Sequence, residues 1–392
     1  MSSKISRRIF LEKSSLGALG LASMGILTGC APKTATPTKQ AATEIPMDSD
    51  TNQWDYEPQI LVIGAGVAGL AAAIEASDLG FDDVLVLEYL PYMGGDGFVC
   101  EGTIAGWNSQ MYKEQGIDLS LEEVIKDCQA RQNNELDPKL AKLSVEKSGE
   151  TIDWLINNVG VEFEDEIIVK DGYGPLKVIH SVTGGGQAMR EPFTKTIEAR
   201  PAIKILFETR ANKLICENDV VVGAIAKQGD KQIRIKAGAT ILAAGDYSSN
   251  PEVMALAYPP SSMLKNGLMP NSTGDGLIMA TEIGAATQNL DEIQPYVREF
   301  DDPIEYKLFY FNIYVGKDGY RFMDEKRNRT TYVDENFEDV VELFGKDGRN
   351  YFWAIANDLT LADVMEGLTD RTDVETADTL EELAALIDVN PA

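Results

Sequence analysis

Histidine is nearly missing from this chain: His180 is the only one in 392 residues. The four cysteines, at positions 30, 100, 128 and 216, make no Cys-x-x-Cys pair and no Cys-x-x-Cys-His. That excludes a c-type haem, a zinc ribbon and any His-based metal site. Cys100, Cys128 and Cys216 are too scattered for a disulfide framework and read as buried core thiols. Positive charge is also scarce. Lys and Arg number 35 against 63 Asp and Glu, a net charge of −28. A surface this acidic repels nucleic acid and anionic lipid headgroups, so no nucleic-acid partner is expected. Membrane association has to be covalent or hydrophobic. No apolar run is long enough to span a bilayer: Leu16 to Leu27 is too short and too rich in Gly and Ala. What is present is 44% hydrophobic residues, enough for a substantial core and for two domains.

Residues 1–30 read as a targeting segment outside the fold. Ser6-Arg7-Arg8-Ile9-Phe10-Leu11 resembles the twin-arginine export signal. The short apolar stretch follows. It ends in Leu27-Thr28-Gly29-Cys30, which resembles a bacterial lipobox with Cys30 as the lipid-bearing residue. The alternative is a plain cleaved signal with a chance cysteine. The first reading places the protein at the extracytoplasmic face of the cell membrane, held by a lipid anchor. Residues 31–56, rich in Ala, Pro, Thr, Ser, Asp and Gln, read as a disordered tether.

The folded part begins near Glu57. Ile60 to Ile63 and Val84 to Leu87 are short apolar β-branched runs, the mark of strands buried on both faces. Between them lies an Ala-rich helix closed by Gly80. Ser120-Leu121-Glu122-Glu123 is a capping box that opens a helix to about Asn133. Asp137-Pro138 opens another that runs towards Val159 and stops at Gly160. A Gly-rich stretch, Thr183 to Gly186, precedes a helix to about Arg200. Strands are expected at Ile203 to Thr209, Val220 to Lys227 and Gln232 to Lys236, with turns at Asn218-Asp219 and Gly229-Asp230. Thr240 to Ala244 is a last buried strand. An acidic helix is expected over Thr379 to Ile387. Strands that return after helices indicate an α/β sheet carrying a β-meander.

Gly64-Ala65-Gly66-Val67-Ala68-Gly69 sits directly after a buried strand and opens a helix, the context that gives this motif meaning. Gly64 permits the tight turn, Gly66 lets a pyrophosphate approach the backbone, and Gly69 lets the helix pack on the strand. The helix N-terminus offers N–H groups and partial positive charge to phosphates. Glu88 ends the second strand 24 residues after Gly64. Its carboxylate suits ribose hydroxyls and repels a 2′-phosphate. The alternative is a Gly-rich helix start with a surface Glu. NAD and FAD share this fingerprint. Gly94-Gly95, soon after Glu88, and Thr240 to Gly245, a strand ending in Ala244-Gly245, favour FAD.

With those segments, the chain resembles the fumarate reductase family of flavoproteins, which includes urocanate reductase and ketosteroid dehydrogenases. The resemblance runs from about Ile60 to the C-terminus. It rests further on His180 to Gly186, on Gly274-Asp275-Gly276, and on Gly319-Tyr320-Arg321-Phe322-Met323-Asp324-Glu325. The last resembles the family's G-x-R-F-x-N-E, with Asp324 where Asn is usual. The resemblance implies an α/β, Rossmann-like FAD-binding domain with a β-meander plus an α+β capping domain that is incomplete here, at 57–289 and 290–392. It implies non-covalent FAD, held by Gly64, Ala65, Gly66, Gly69, Glu88, Gly94, Gly95, Ala244, Gly245, Gly274 and Asp275. His180 is expected to shape the flavin pocket.

In the family, hydride passes between flavin and a substrate carbon beside an activating group, and an arginine gives the proton. The resemblance puts that arginine at Arg329. A solvated charge in the run from Lys326 to Arg329 is the alternative. The family's relay Glu falls on Glu305, but its Arg falls on Leu308. The substrate-side Thr becomes Ile304, and the substrate-binding His becomes Gln294. Tyr306, Tyr310 and Tyr314 are alternative phenolic acids or simply packed rings. The expected function is reduction of an activated C=C bond in a small organic acid. Electrons would come from a separate cytochrome or flavin carrier. A ketosteroid-type dehydrogenase and a non-catalytic FAD-binding lipoprotein fragment are the alternatives, the last because the family's later Gly-rich flavin loop does not appear before Ala392.

Overall fold

In this computed structural model, the structure describes residues 53–131, 137–170, 174–259, 261, 271–291, 293, 313–323, 337–348, 351–356 and 374–390. Within them the elements run β1 (Ile60–Ile63), α1 (Val67–Asp78), β2 (Val84–Leu87), β3 (Thr103–Ala105), α2 (Gln110–Glu114), α3 (Leu121–Arg131), α4 (Pro138–Trp154), β4 (Ile179–Ser181), α5 (Arg190–Glu198), β5 (Ile203–Leu206), β6 (Thr209–Glu217), β7 (Val220–Gln228), β8 (Lys231–Lys236) and β9 (Ala239–Leu242). They continue with α6 (Pro251–Ala257), α7 (Asp275–Glu282), β10 (Ile313–Val315), α8 (Phe337–Asp347), β11 (Trp353–Ile355) and α9 (Leu380–Leu386). Among the described residues no helix is long and apolar enough to cross a membrane.

The chain divides into two compact units. The first holds the described residues within Met1–Gly97, Thr194–Ala257 and Asn266–Gln288; the second holds those within Phe98–Phe193, Tyr258–Lys265 and Asn289–Ala392. The stretch from Phe98 to Phe193 groups with the described C-terminal residues.

The first unit is organised by a parallel sheet in the order β5-β2-β1-β9. All four residues of both β1 and β2 are buried. A strand that alternates its side chains between two faces needs cover on both. On one face lies α1, with Leu70, Ala73 and Ile74 fully buried. On the other, Leu61, Ile63, Leu85 and Leu87 pack against Ala211, Leu214, Ala224, Ala226, Ile233 and Ile235 of the antiparallel β6-β7-β8 sheet. Burying each of those leucines and isoleucines stabilises the unit by roughly 1.5–3 kcal/mol. The result is three layers: helix, parallel sheet, meander.

The strand expected over Ile203 to Thr209 ends at Leu206 as β5, and a separate strand, β6, begins at Thr209 and runs nine residues along β7. Register shifts between Ala211 and Lys213 and between Ile215 and Cys216 break the two-residue alternation that would have revealed it.

The second unit pairs β3 with β4 antiparallel and β10 with β11 antiparallel. Val124, Val178 and Ile179 form one buried cluster. The capping box is formed: Ser120 N–H donates to Glu123 Oε2 at 2.8 Å, and Glu123 N–H to Ser120 Oγ at 3.2 Å. α4 ends in a π turn, Leu155–Val159, stopped by Gly160 at φ 84°. Tyr314 is almost wholly buried among Val340, Phe344 and Met323, its ring 5.1 Å from that of Phe352. It is a packing residue.

His180 lies within β4 and is fully buried. Nδ1 lies 3.2 Å from the Val178 carbonyl, and Nε2 lies 2.9 Å from Ser109 Oγ. The carbonyl assigns the proton to Nδ1, so Nε2 accepts the serine hydroxyl. Ser109 Oγ in turn accepts the Tyr112 N–H and caps α2. His180 thus braces an internal joint of the second unit. Two of the three described cysteines correct expectation: Cys100 and Cys216 are exposed, and Cys128 is half-buried. Cys100 lies in a loop and Cys216 beside a bulge near the end of β6, so neither belongs to a core.

Two outcomes follow from this packing. Leu61→Ala lowers unfolding free energy by about 2–5 kcal/mol, read in a denaturant melt. Burial holds the His180 pKa below its usual 6.5, opposed by the Val178 carbonyl and the charge of Asp153. The unfolded chain therefore binds this proton more readily. The stability contribution is complete above pH 6.5 and is lost as pH falls through the depressed folded value. Thermal melts across that window show a loss of stability in the parent that His180→Gln lacks; parallel curves would show that the imidazole is neutral to folding.

Candidate functional site

The site grows from the C-terminal ends of β1, β2 and β9, where a parallel sheet directs its strand ends into one crevice. After β1 the chain turns at Gly64, φ 106°, and enters α1. A Cβ at Gly64 would lie 2.2 Å from the Ala243 carbonyl oxygen, and one at Gly69 would lie 1.9 Å from the Gly64 carbonyl oxygen. Backbone therefore touches backbone at both positions. At Gly66 the situation reverses: an added Cβ would meet nothing within 4 Å. No side chain caps α1. Val67 and Ala68 at its start line the crevice, and a helix N-terminus carries partial positive charge, the arrangement that takes a phosphate.

Glu88, at the end of β2, is buried beside this turn. Its Oε2 accepts the Ala65 N–H at 2.8 Å and its Oε1 the Leu90 N–H at 2.7 Å. The two bonds fix the carboxylate plane and leave one lone pair on each oxygen. That is the acceptor pair a ribose diol needs. The 94–97 turn lies against the α1 entrance: Gly94 N–H donates to the Ala65 carbonyl at 2.8 Å, and a Cβ at Gly95 would touch Gly66 Cα. Together these segments border a cleft of about 480 Å³, within the range of small-molecule sites, roughly 300–1,000 Å³.

Gly64, Gly66, Glu88, Gly94, Gly95, Ala244, Gly245 and Asp275 line this cleft. Ala65 presents its N–H to Glu88 instead, and Gly69 serves the packing of helix on strand. Gly274 caps α7 in the left-handed region at φ 74° and does not line the cleft. Asp275 is not a free acceptor. Arg210 Nε reaches its Oδ2 at 2.5 Å and Nη2 its Oδ1 at 2.6 Å, while Thr273 Oγ1 donates to Oδ1 at 2.9 Å. The hydrogen bond to Asp275 raises the Arg210 pKa above its ordinary value. The Arg210 guanidinium also lies 5.1 Å over the Tyr89 ring. This two-pronged clamp ties the meander to the start of α7 at the cleft wall.

Sequence reasoning missed Arg210, Asp96 and Ser272, all of which line the cleft. Arg210 sits in the strand whose alternation is broken by bulges. Asp96 directly follows Gly94-Gly95, and that adjacency was an available signal. Ser272 carries none. Arg329, Glu305, Gln294, Tyr306, Tyr310 and Cys30 lie outside the described residues. The described residues of the second unit, His180 among them, are not among the lining residues. Among the described residues no cluster of His, Cys, Asp or Glu is arranged to hold a metal ion.

The chain is similar to several known proteins. The chain is 29% identical over 342 residues to urocanate reductase of Eggerthella lenta, covering 82% of this chain and 55% of that protein. It is 27% identical over 325 residues to the acrylate reductase flavoprotein subunit of Shewanella woodyi, covering 76% of this chain and 63% of that one. The chain thus spans between half and two thirds of these relatives' length. Among solved structures, the open conformation of a flavocytochrome c3 fumarate reductase superposes with a TM-score of 0.70 at 23% identity, over 86% of this chain and 60% of that one. A 3-ketosteroid Δ1-dehydrogenase from Sterolibacterium denitrificans also gives 0.70, at 18% identity, over 86% and 77%. Both share the fold. The open space at Gly66, the uncapped α1 and the paired lone pairs of Glu88 fit the dinucleotide that this fold carries. Residues 59–364 match the family model described as FAD binding domain, and the chain belongs to that family, with FAD as its cofactor.

Proposed function

We propose that this chain serves an FAD-dependent reductase of an activated C=C bond in a small unsaturated acid. The observation that carries the reading is the dinucleotide cleft of Gly66, uncapped α1 and Glu88. Its two named relatives support the substrate class, since urocanate and acrylate are both conjugated carboxylates. FAD, when bound, supplies a hydride to one carbon of the double bond. The chain's own residues do the rest. Gly66 and the α1 N-terminus receive the pyrophosphate, and Glu88 orients the adenosine ribose.

Arg329 is proposed as the donor of the proton to the neighbouring carbon, with Glu305 relaying it and Gln294 contacting substrate. An arginine gives a proton only where water is excluded and the proton is at once replaced. Two electrons and two protons per turnover must reach the site, one proton becoming the hydride hydrogen on the reduced flavin and the other passing through the arginine, and a separate cytochrome or flavin carrier is the proposed source of the electrons. Further parts of the proposal are twin-arginine export and tethering through Cys30 at the extracytoplasmic face. The order of arginine pair, apolar stretch and lipobox supports them.

Two measurements test the reading. Gly66→Ala leaves the fold unstrained, because its Cβ meets nothing, yet it occupies the approach of the pyrophosphate. FAD affinity falls at least about tenfold, about 1.4 kcal/mol, with an unchanged melting curve; unaltered affinity would place the dinucleotide elsewhere. In the FAD-loaded protein, oxidation of a reduced viologen dye by urocanate, acrylate or fumarate reports turnover. Arg329→Ala lowers it about 10²–10⁴-fold with the flavin spectrum retained. An Arg329→Ala protein as fast as the parent removes that residue from the chemistry. Flavin retained without turnover on any unsaturated acid favours the non-catalytic reading.

A further inference from the structure

The cleft that receives a dianionic pyrophosphate carries a carboxylate on its phosphate side. Asp96 lies between Gly95 and Gly97. A Cβ on Gly95 would touch Gly66 Cα at 3.4 Å, and one on Gly97 would run into the Val67 side chain. Asp96 is therefore held against the entrance to α1. From there it reaches towards the opposite wall, where Ser272 Oγ donates to its Oδ2 at 3.3 Å. Asp246, on the loop after β9, acts on it as a second negative charge.

The charged groups around Asp96 are mostly of the wrong sign for an anion. The turn from Gly64 to Val67 brings none. The end of β2 brings Glu88, and the loop after β9 brings Asp246. The start of α7 brings Asp275, whose charge is answered by Arg210 through two close hydrogen bonds. Among the described residues, the side-chain partner of Asp96 is the Ser272 hydroxyl. The side chain is exposed through the cleft mouth, so a bound dinucleotide would strip water from it and set phosphate beside it. Desolvation and Asp246 already raise its pKa above the ordinary 3.8, against the opposing effect of Ser272.

We propose that Asp96 makes cofactor binding proton-linked: FAD binds preferentially to the protein in which Asp96 is neutral, and binding takes up one proton when the free protein has lost it. The proposal rests on the cleft being the FAD site. A neutral Asp96 donates its O–H to a phosphate oxygen or to Ser272; an ionised one repels the pyrophosphate. No electron moves and no covalent bond changes except the O–H on Asp96. The pKa of Asp96 is higher in the complex than in the free protein. Affinity is accordingly constant below the free value, falls by up to about tenfold per pH unit between the two values, and levels off above the higher one. Flavin loading of this protein is thus strongest on the acid side and releases as pH rises.

The experiment is an FAD titration of the purified protein, followed by quenching of flavin fluorescence, across roughly pH 5 to 8 with EDTA throughout. The parent is compared with Asp96→Asn and with His180→Gln. Asn keeps the shape and removes the ionisable group. The expected result is affinity that declines with pH in the parent and in His180→Gln, and a flat profile in Asp96→Asn that binds more tightly at the alkaline end. A flat profile in the parent overturns the inference while leaving the cleft as the FAD site. So does a slope that survives in Asp96→Asn. Absence of binding at every pH, in a protein that melts cooperatively, overturns both the inference and the assignment of the cleft.

Discussion

The structure of the first unit depends on a close approach of backbone to backbone at the top of β1. The Gly64 carbonyl oxygen lies where a Cβ of residue 69 would be, and the Ala243 carbonyl oxygen lies where a Cβ of residue 64 would be. No larger residue fits either place without moving a strand. With both glycines, α1 settles on the sheet and β9 closes beside β1. The uncapped helix end then points into the space between them. Phosphate affinity at this position follows from packing, since the same contact that seats the helix also aims it.

Glu88 shows how the scaffold prepares a ligand contact before any ligand is bound. It is buried, and buried carboxylates are costly unless their oxygens are hydrogen-bonded. Two backbone N–H groups supply that, from Ala65 and Leu90. They also fix the rotamer, so little side-chain entropy remains to be lost on binding. Asp275 is prepared differently. Arg210 and Thr273 occupy its carboxylate, and it serves the cleft wall rather than acting as a free acceptor. Three carboxylates thus face one crevice in different states: Glu88 held by two backbone N–H groups, Asp275 clamped by Arg210, and Asp96 bonded to the Ser272 hydroxyl.

The two units are stabilised by different means. The first relies on fully buried aliphatic strands between two layers. The described core of the second is made of smaller clusters: the aromatic group around Tyr314 and Phe352, and the group around Val178 and Ile179. His180 joins β4 to the start of α2 through Ser109. This imidazole is a structural strut, and burial favours its neutral form.

Much of this was determined by the sequence alone. β1, α1, β2 and the glycine turn between them are local: four-residue apolar runs of Ile, Leu and Val, a glycine motif and an alanine-rich run admit few other readings. The caps at Ser120 and Asp137 and the stop at Gly160 are local as well, since each acts within six residues. Only the tertiary structure decided the rest. β6 is a strand because β7 pairs with it despite two bulges, which no periodicity in its own residues reveals. Arg210 and Asp275 lie 65 residues apart and meet only once the meander folds onto the sheet. Asp96 and Ser272, 176 residues apart, face one another only across the assembled cleft. Short-range order is set by the preferences of neighbouring residues, whereas a site that gathers distant side chains exists only after the layers have packed.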